Sequence, residues 1–215
     1  MKIEKCGKIT LINGDCMEFM QTSKDKSFDL AIVDPPYGIH RSGQRETFTK
    51  KAQHKRKYFQ DRGWDDKTPG KDYFDNLFRV SLNQVIFGAN YFVQYLKPSM
   101  GWIFWDKGQN LTMSDGELAY TSFDRALRRV IMNRVELLKQ KTIHPTEKPI
   151  KLYEWLLQNY AEPGQKILDT HGGSMSIAIA AHKMGFDLTI IEKDPVYYEQ
   201  AKKRLLEFQK QLILF

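Results

Sequence analysis

A short motif of an acid, two prolines and an aromatic residue, Asp34-Pro35-Pro36-Tyr37, follows the apolar run from Leu30 to Val33. That run is rich in β-branched residues and has the length of a buried strand, so the motif should begin where the strand ends. The prolines stop strand pairing and stiffen the backbone. The motif therefore places a carboxylate, a proline carbonyl and an aromatic ring at the carboxyl edge of an α/β sheet, where ligands usually bind.

These groups suit an amino group attached to a flat base. Asp34 and the Pro35 carbonyl can accept the two amino hydrogens, while the Tyr37 ring offers a stacking surface to a base taken out of its duplex. A strand followed by a simple turn explains the same four residues equally well, because Pro-Pro after Asp is common in loops.

A second motif lies near the other end of the chain. A strand ending in Asp169 leads into the small-residue turn His171-Gly172-Gly173-Ser174 and then an alanine-rich helix, and the next strand ends in Glu192. An acid about twenty residues after a glycine-containing turn is typical of sites that bind the ribose hydroxyls of an adenosine cofactor. Taken alone this signal is weak, since the two glycines are only part of the dinucleotide fingerprint and acids often follow strands.

Alternating helices and strands must position both motifs. Apolar periodicity and turn residues predict the following order. The first elements are a strand at 9–15, a short helix from 16 that returns toward Phe28, a strand at 30–33 and a helix through Tyr73, Leu77, Phe78 and Leu82. Strands at 84–88 and 101–105 follow with a short helix between them, then a helix capped by Ser114 with Glu117 and a strand at 125–132. The last elements are a helix through Leu152, Trp155 and Leu156, strands at 167–169 and 188–191 separated by a helix at 177–184, and a final helix from Asp194.

Composition narrows the function classes. The 215 residues fit one domain, and a net charge of +7 with a pI near 9.2 favours an acidic partner such as nucleic acid. Cys6 and Cys16 are too few for a disulfide scaffold and are not spaced as a metal site, so we expect a reducing, cytoplasmic setting and no zinc. No apolar run is long enough to span a membrane.

Most of the excess positive charge lies in one stretch without periodicity. Between His40 and Lys71 basic residues exceed acids by six. The basic residues are Arg41, Arg45, Lys50, Lys51, Lys55, Arg56, Lys57, Arg62, Lys67 and Lys71. Because Phe48, Tyr58, Phe59 and Trp64 are interleaved with them, we expect a loop at about 39–71 that contacts DNA; a solvated insertion is the alternative.

The motif order resembles that of S-adenosylmethionine-dependent DNA adenine-N6 methyltransferases of the permuted β group, within the DNA methylase N-4/N-6 family. In that group an Asp-Pro-Pro-Tyr motif comes first, then His-Pro-Thr-x-Lys-Pro, and last a glycine-rich cofactor motif. This chain has residues 34–37, then His144-Pro145-Thr146-Glu147-Lys148-Pro149, then residues 169–175. His171 stands where the family usually has Phe, and Met175 stands where it has its second Gly.

The resemblance and the strand pattern together imply a single Rossmann-like methyltransferase domain over residues 1–215, with a mixed, mostly parallel sheet flanked by helices and a circularly permuted motif order. The implied catalytic residues are Asp34, Pro35, Pro36 and Tyr37. The implied cofactor-binding residues are Asp15 near the adenine, Glu192 on the ribose, and Thr146, Lys148, Asp169, Thr170, His171, Gly172, Gly173 and Ser174 about the methionine part. DNA is the implied partner; a homodimer and a companion restriction endonuclease are compatible with the resemblance, although the residues specify neither.

Alternatives stay open at this stage. The same motif would fit cytosine N4 or adenine in RNA, although Asp before Pro-Pro favours adenine in the family. A non-catalytic nucleic-acid-binding subunit would keep the fold without holding the cofactor, and a nicotinamide-dependent oxidoreductase is disfavoured by the incomplete glycine pattern. Asp15 and Glu192 could be solvated acids at strand ends and Lys148 a surface charge, while for His144 a turn role and for His171 a satisfied core position are favoured.

Overall fold

A computed structural model describes residues 1–45, 57–108, 114–133 and 142–212. Within them the strands and helices follow the predicted order, except at the amino terminus and at residues 114–121. The strands are β1 (Lys2–Cys6), β2 (Ile9–Asn13), β3 (Phe28–Val33), β4 (Ser81–Phe87), β5 (Trp102–Asp106), β6 (Gly116–Thr121), β7 (Arg128–Ile131), β8 (Lys166–Asp169) and β9 (Asp187–Glu192). The helices are α1 (Cys16–Thr22), α2 (Lys71–Val80), α3 (Ile150–Tyr160), α4 (Ser176–Met184) and α5 (Pro195–Leu212).

The strands form one mixed sheet in the order β1-β2-β9-β8-β3-β4-β6-β5-β7. Its centre, β2-β9-β8-β3-β4, is parallel throughout. The carboxyl ends of β3, β8 and β9 therefore meet at one edge, and they carry Asp34, Asp169 and Glu192. The predicted mixed, mostly parallel sheet flanked by helices is confirmed.

Two apolar cores cover the two faces of the sheet. Alternate residues of each strand point to opposite faces, so Leu30 and Ile32 join one core while Ala31 and Val33 join the other. Helices α3, α4 and α5 pack on the first face, and α1 and α2 pack on the second. Burial on both faces explains why the central strands are nearly continuous apolar runs.

Two local predictions were wrong, and one strand was not predicted. Ser114 does not cap a helix; Glu117 lies in β6, because residues 116–120 pair antiparallel with the aromatic strand β5. Leu82 belongs to β4 and is 51% exposed, since α2 ends at Val80 and the chain turns directly into the sheet. The amino terminus forms an additional edge strand, β1, which pairs antiparallel with β2.

Among the helices that the structure describes, none combines the length and the apolar character needed to cross a lipid bilayer.

Candidate active site

The Asp34 carboxylate lies directly after β3 and its side chain is 19% exposed. Its Oδ1 accepts a hydrogen bond of 2.6 Å from the Tyr37 hydroxyl, and its Oδ2 accepts one of 2.5 Å from Lys148 Nζ. Burial raises the pKa of Asp34, and the positive charge of Lys148 opposes that shift. The carboxylate predicted at the strand end is thus held by two donors from different parts of the chain.

Lys148 is an almost fully enclosed charge, with a side chain only 4% exposed. Its ammonium also lies 3.3 Å from Glu117 Oε2, and Glu117 Oε1 lies 2.9 Å from Lys107 Nζ. Burial would lower the pKa of Lys148, but Asp34 and Glu117 outweigh it and raise the pKa. Burial of Glu117 is likewise outweighed by Lys148 and Lys107, so the pKa of Glu117 is lowered.

The Tyr37 ring sits between other aromatic groups. It stacks on Tyr91 with ring centroids 5.1 Å apart and an interplanar angle of 16°. A Cβ at position 88 would come within 2.1 Å of the Tyr37 ring, and Gly88 has a φ of +63°. Gly88 is therefore required both for its backbone conformation and for the space that Tyr37 occupies.

A buried carboxylate, Asp65, fixes the backbone that follows the two prolines. Its Oδ1 accepts hydrogen bonds from the backbone N–H groups of Tyr37 (2.7 Å) and Gly38 (2.9 Å), and its Oδ2 accepts one from Arg41 (2.8 Å). The residue is 2% exposed. Asp65 thus ties the start of the basic segment to the Asp34 motif.

We expect Asp65→Ala to lower catalytic turnover at least tenfold and to lower the melting temperature, while affinity for a ligand at the turn after Asp169 changes little. Hydrogen bonds to a charged acceptor contribute about 1.5 to 3 kcal/mol each, and losing three of them frees the Tyr37 backbone. Asp66→Ala is the matched control, because Asp66 pairs with His40 at the surface. Equal turnover in the two variants would contradict the role given to Asp65.

The predicted cofactor turn lies one strand away. Glu192 at the end of β9 accepts N–H bonds from Gly173 (2.6 Å, to Oε2) and Asp194 (2.7 Å, to Oε1). Each oxygen of a carboxylate can accept a second bond, so both keep acceptor capacity for a ligand. Burial raises the pKa of Glu192 to about 7. Asp15 caps α1 and pairs with Lys193 at 2.8 Å.

Asp169 is buried beneath this turn and binds its backbone. One carboxylate oxygen accepts the His171 N–H at 3.0 Å, and burial raises the pKa of Asp169 to about 8. The His171 ring contacts Thr170 Oγ1 at 2.9 Å and packs edge-on against Tyr73, whose hydroxyl lies 2.7 Å from the same Thr170 oxygen. Burial lowers the pKa of His171 to about 4, so the ring is neutral at neutral pH. It can therefore present a flat aromatic surface where the family has Phe.

Met175 has a backbone conformation that favours glycine. Its φ of 52° and ψ of 34° lie in the left-handed region, which non-glycine residues adopt rarely. Its side chain is 1% exposed and belongs to the core on the α4 side of the sheet. The departure from the family motif therefore adds bulk to the core and leaves the turn its glycine-like path.

The His-Pro-Thr-x-Lys-Pro turn connects the two halves of the site. His144 packs against Trp64 and Tyr197, with ring centroids 4.9 and 4.5 Å apart, and burial lowers its pKa to about 3. Glu147, whose side chain is 1% exposed, pairs with Arg204 of α5 at 2.8 Å. These contacts hold the turn against the final helix, with Lys148 directed at Asp34.

One cavity of about 1750 Å³ brings the predicted residues together. It is lined by all four residues of the first motif and by every predicted cofactor residue except Asp169. Those cofactor residues are Asp15, Thr146, Lys148, Thr170, His171, Gly172, Gly173, Ser174 and Glu192. Ligand pockets usually measure about 300 to 1,000 Å³, so this cavity has room for two ligands side by side.

Arg41, Arg45 and Lys57 of the basic segment also line this cavity, and all three are exposed. Gln44 and Phe59 pair through both backbone groups, and Arg62 pairs with Asp194 at 3.1 Å. The described part of the segment thus lies along the cavity from the Asp34 motif to the end of β9. Four other predicted DNA-contacting residues, Lys50, Lys51, Lys55 and Arg56, lie outside the described residues.

Sequence reasoning missed four polar residues of the site: Glu117, Lys107, Asp65 and Tyr73. Glu117 carried a signal, the capping-box spacing from Ser114, but that signal pointed to a helix. Asp65 was visible only as one acid within a basic stretch. Lys107 and Tyr73 reach the site through sheet and helix packing, which no local pattern encodes.

Fold and site together define an open α/β domain with two adjoining ligand positions at the strand ends. Residues 94–203 match the DNA methylase family of N6/N4 methyltransferases. The chain belongs to this family, which confirms the resemblance. It is also 23% identical over 248 residues to the type II methyltransferase M.HinfI of Haemophilus influenzae, covering 93% of this chain and 69% of that protein.

Solved structures show the same fold. M1.HpyAVI in complex with S-adenosylmethionine superposes with a TM-score of 0.59 at 20% identity, covering 91% of this chain and 99% of that one. The cytosine-N4-specific PvuII DNA methyltransferase gives a TM-score of 0.61 at 14% identity, covering 96% and 93%. The neighbours thus include an enzyme specific for cytosine, and the fold leaves the choice of base open.

Proposed function

We propose that this DNA methylase transfers a methyl group from S-adenosylmethionine to N6 of adenine in DNA. The observation that carries the proposal is the single cavity in which the Asp34 motif and the Glu192 turn lie side by side. Asp rather than Ser before Pro-Pro supports adenine within the family. Residues 39–71 are proposed to contact the DNA.

The cavity fits the chemistry of the cofactor. Glu192 keeps free acceptor positions for ribose hydroxyls. Gly173 has a φ of +49°, and a Cβ built on it would lie 3.6 Å from its nearest neighbour, His144 Nε2, so protein atoms do not crowd this part of the turn. Asp15, Thr146 and residues 170–174 line the rest of this part of the cavity. The neutral His171 ring and the inward-packed Met175 argue against a subunit that has lost its cofactor.

The reaction needs positioning more than covalent chemistry. When bound, S-adenosylmethionine supplies a methyl group on a positively charged sulfur, which passes in one step to the base nitrogen. The lone pair of that nitrogen is delocalised into the ring, so hydrogen bonds from its two hydrogens to Asp34 and the Pro35 carbonyl should localise the pair. The nitrogen then loses one proton, to Asp34 directly or through water. Holding the reactants in line supplies most of the acceleration.

Identifying the modified base tests this proposal. Purified protein is incubated with S-adenosylmethionine and duplex DNA, and the digested nucleosides are separated by mass spectrometry. We expect N6-methyladenine. Finding N4-methylcytosine instead would show that the protein methylates cytosine. Methylation of RNA alone would show that its substrate is RNA and not DNA. Cofactor binding without methylation of any nucleic acid would support a non-catalytic subunit.

We expect affinity for S-adenosylmethionine to rise between pH 6 and 9, and to rise more than affinity for S-adenosylhomocysteine. Burial raises the pKa of Glu192 to about 7 and that of Asp169 to about 8, so the free site holds protons at neutral pH. A ligand that favours the ionised carboxylates releases those protons and binds more tightly as pH rises through this range. The product S-adenosylhomocysteine lacks the sulfonium charge, so its binding should release fewer protons.

Calorimetry at several pH values, in buffers of different ionisation enthalpy, measures both the affinity and the protons released. Asp169→Asn is the control variant, because it removes one of the two titrating carboxyls. The difference between the two ligands should shrink in that variant. Identical pH slopes for both ligands in the wild type would show that the sulfonium charge does not act on these acids.

A further inference from the structure

A chain of four alternating charges passes through the catalytic end of the cavity. Asp34 contacts Lys148, Lys148 contacts Glu117 at 3.3 Å, and Glu117 contacts Lys107 at 2.9 Å. The four residues come from the end of β3, the turn before α3, strand β6 and the residue after β5. Only Asp34 and Lys148 belong to the motifs that the sequence indicated.

To accept an amino hydrogen, Asp34 must stay ionised and must keep its orientation at the end of β3. Burial opposes the first of these requirements, because it raises the pKa of Asp34. A buried carboxyl favours the protonated form, which offers one acceptor fewer. Besides Lys148, the titratable groups that act on Asp34 within the described structure include Glu117, Tyr37, Tyr73, Tyr153 and Asp169, none of which carries positive charge.

Resting on the proposed function, we infer that Lys148 is a positioning residue that keeps Asp34 ionised and aimed, and that Glu117 sets how strongly it does so. Lys148 Nζ binds Oδ2, so we assign the other oxygen, Oδ1, to the base. In this structure Oδ1 accepts the Tyr37 hydroxyl, and a base amino hydrogen would take that place. If the base amino group replaces the Tyr37 hydroxyl as the donor to Oδ1, the contact between Lys148 Nζ and Oδ2 stays intact.

Glu117 limits the effect of Lys148. The negative charge of Glu117 raises the pKa of Asp34 and so offsets part of the stabilisation that the Lys148 ammonium gives to the ionised form. If Lys148 acted on Asp34 alone, Asp34 would become a weaker acceptor for the proton released from the methylated nitrogen. Lys148 already carries its proton, with a raised pKa, and does not serve as that acceptor. Lys107 in turn compensates Glu117.

Opposite shifts of the pH profile test the inference. The quantity measured is kcat/KM for DNA at saturating S-adenosylmethionine, so that titration of the cofactor site does not contribute. Lys148→Met should move the acidic limb upward by about 1 to 3 pH units, with activity partly restored at high pH. Glu117→Gln should move it downward, because the charge that opposes Lys148 is removed.

Lys183→Met provides the matched control: Lys183 pairs with Glu154 on the surface, and its replacement should leave the limb in place. Two results would overturn the inference. One is a loss of kcat/KM by the same factor at every pH in Lys148→Met, and the other is a shift of the acidic limb in the same direction in Lys148→Met and Glu117→Gln. If Lys148→Met does not fold, the direction of the Glu117→Gln shift decides alone. A wild type without methyl transfer would instead reject the proposed function.

Discussion

Asp34→Ala should lower methyl transfer by about a hundred to ten thousandfold while leaving affinity for S-adenosylmethionine and DNA largely unchanged. A hydrogen bond that strengthens as the amino nitrogen attacks contributes to turnover and hardly to binding. Losses of this size are typical when a general base or a positioning acceptor is removed. Transfer of a tritiated methyl group into DNA, with binding measured in parallel, checks the prediction.

The Tyr37 variants separate catalysis from base binding. Tyr37→Ala removes a stacking surface, so it should weaken DNA binding as well as turnover, by about 1 to 3 kcal/mol. Tyr37→Phe keeps the ring and removes only the hydroxyl that binds Asp34, so it should lose less than Tyr37→Ala. Near-normal transfer by Asp34→Ala would show that the active site lies elsewhere.

The sequence predicts the architecture well because the central strands are buried on both faces. Runs such as Ile167-Leu168 and Leu188–Ile191 have few alternatives to a strand, and the acids that follow them mark the sheet edge. Both halves of the site could therefore be located from Asp34, Asp169 and Glu192. The prediction failed at strand β6, because Gly116–Thr121 becomes a strand through its pairing with β5, and local sequence does not encode that pairing.

The charge chain was beyond sequence reasoning for a related reason. Lys148 stands in a motif that the resemblance assigns to the cofactor, whereas the structure directs its ammonium to Asp34. Nothing local to residue 148 encodes that direction, since it depends on where α3 packs and on Glu117 reaching across from β6. Asp65 is similar: its three bonds to the backbone join residues more than twenty positions apart.

Replacing Lys50, Lys51, Lys55, Arg56 and Lys57 together by Gln should weaken DNA binding steeply at low salt and flatten its salt dependence. Each phosphate contact contributes about 0.9 to the slope of log affinity against log salt concentration, so five contacts contribute as much as about 4.5. Between 50 and 200 mM salt, a slope of that size corresponds to roughly a 500-fold change in affinity. Cofactor affinity should not change.

The control carries the same change of charge at five exposed lysines away from the cavity, Lys5, Lys24, Lys166, Lys203 and Lys210. If the basic segment contacts DNA, the control should keep nearly the wild-type slope, because its lysines act only through the net charge of the protein. Binding measured at four or five salt concentrations gives both slopes. Equal slopes in the two variants would mean that the segment is a solvated insertion. The exposed positions of Arg41, Arg45 and Lys57 at the cavity favour the first result, since the proposed function requires DNA to reach that cavity and place a base beside Asp34.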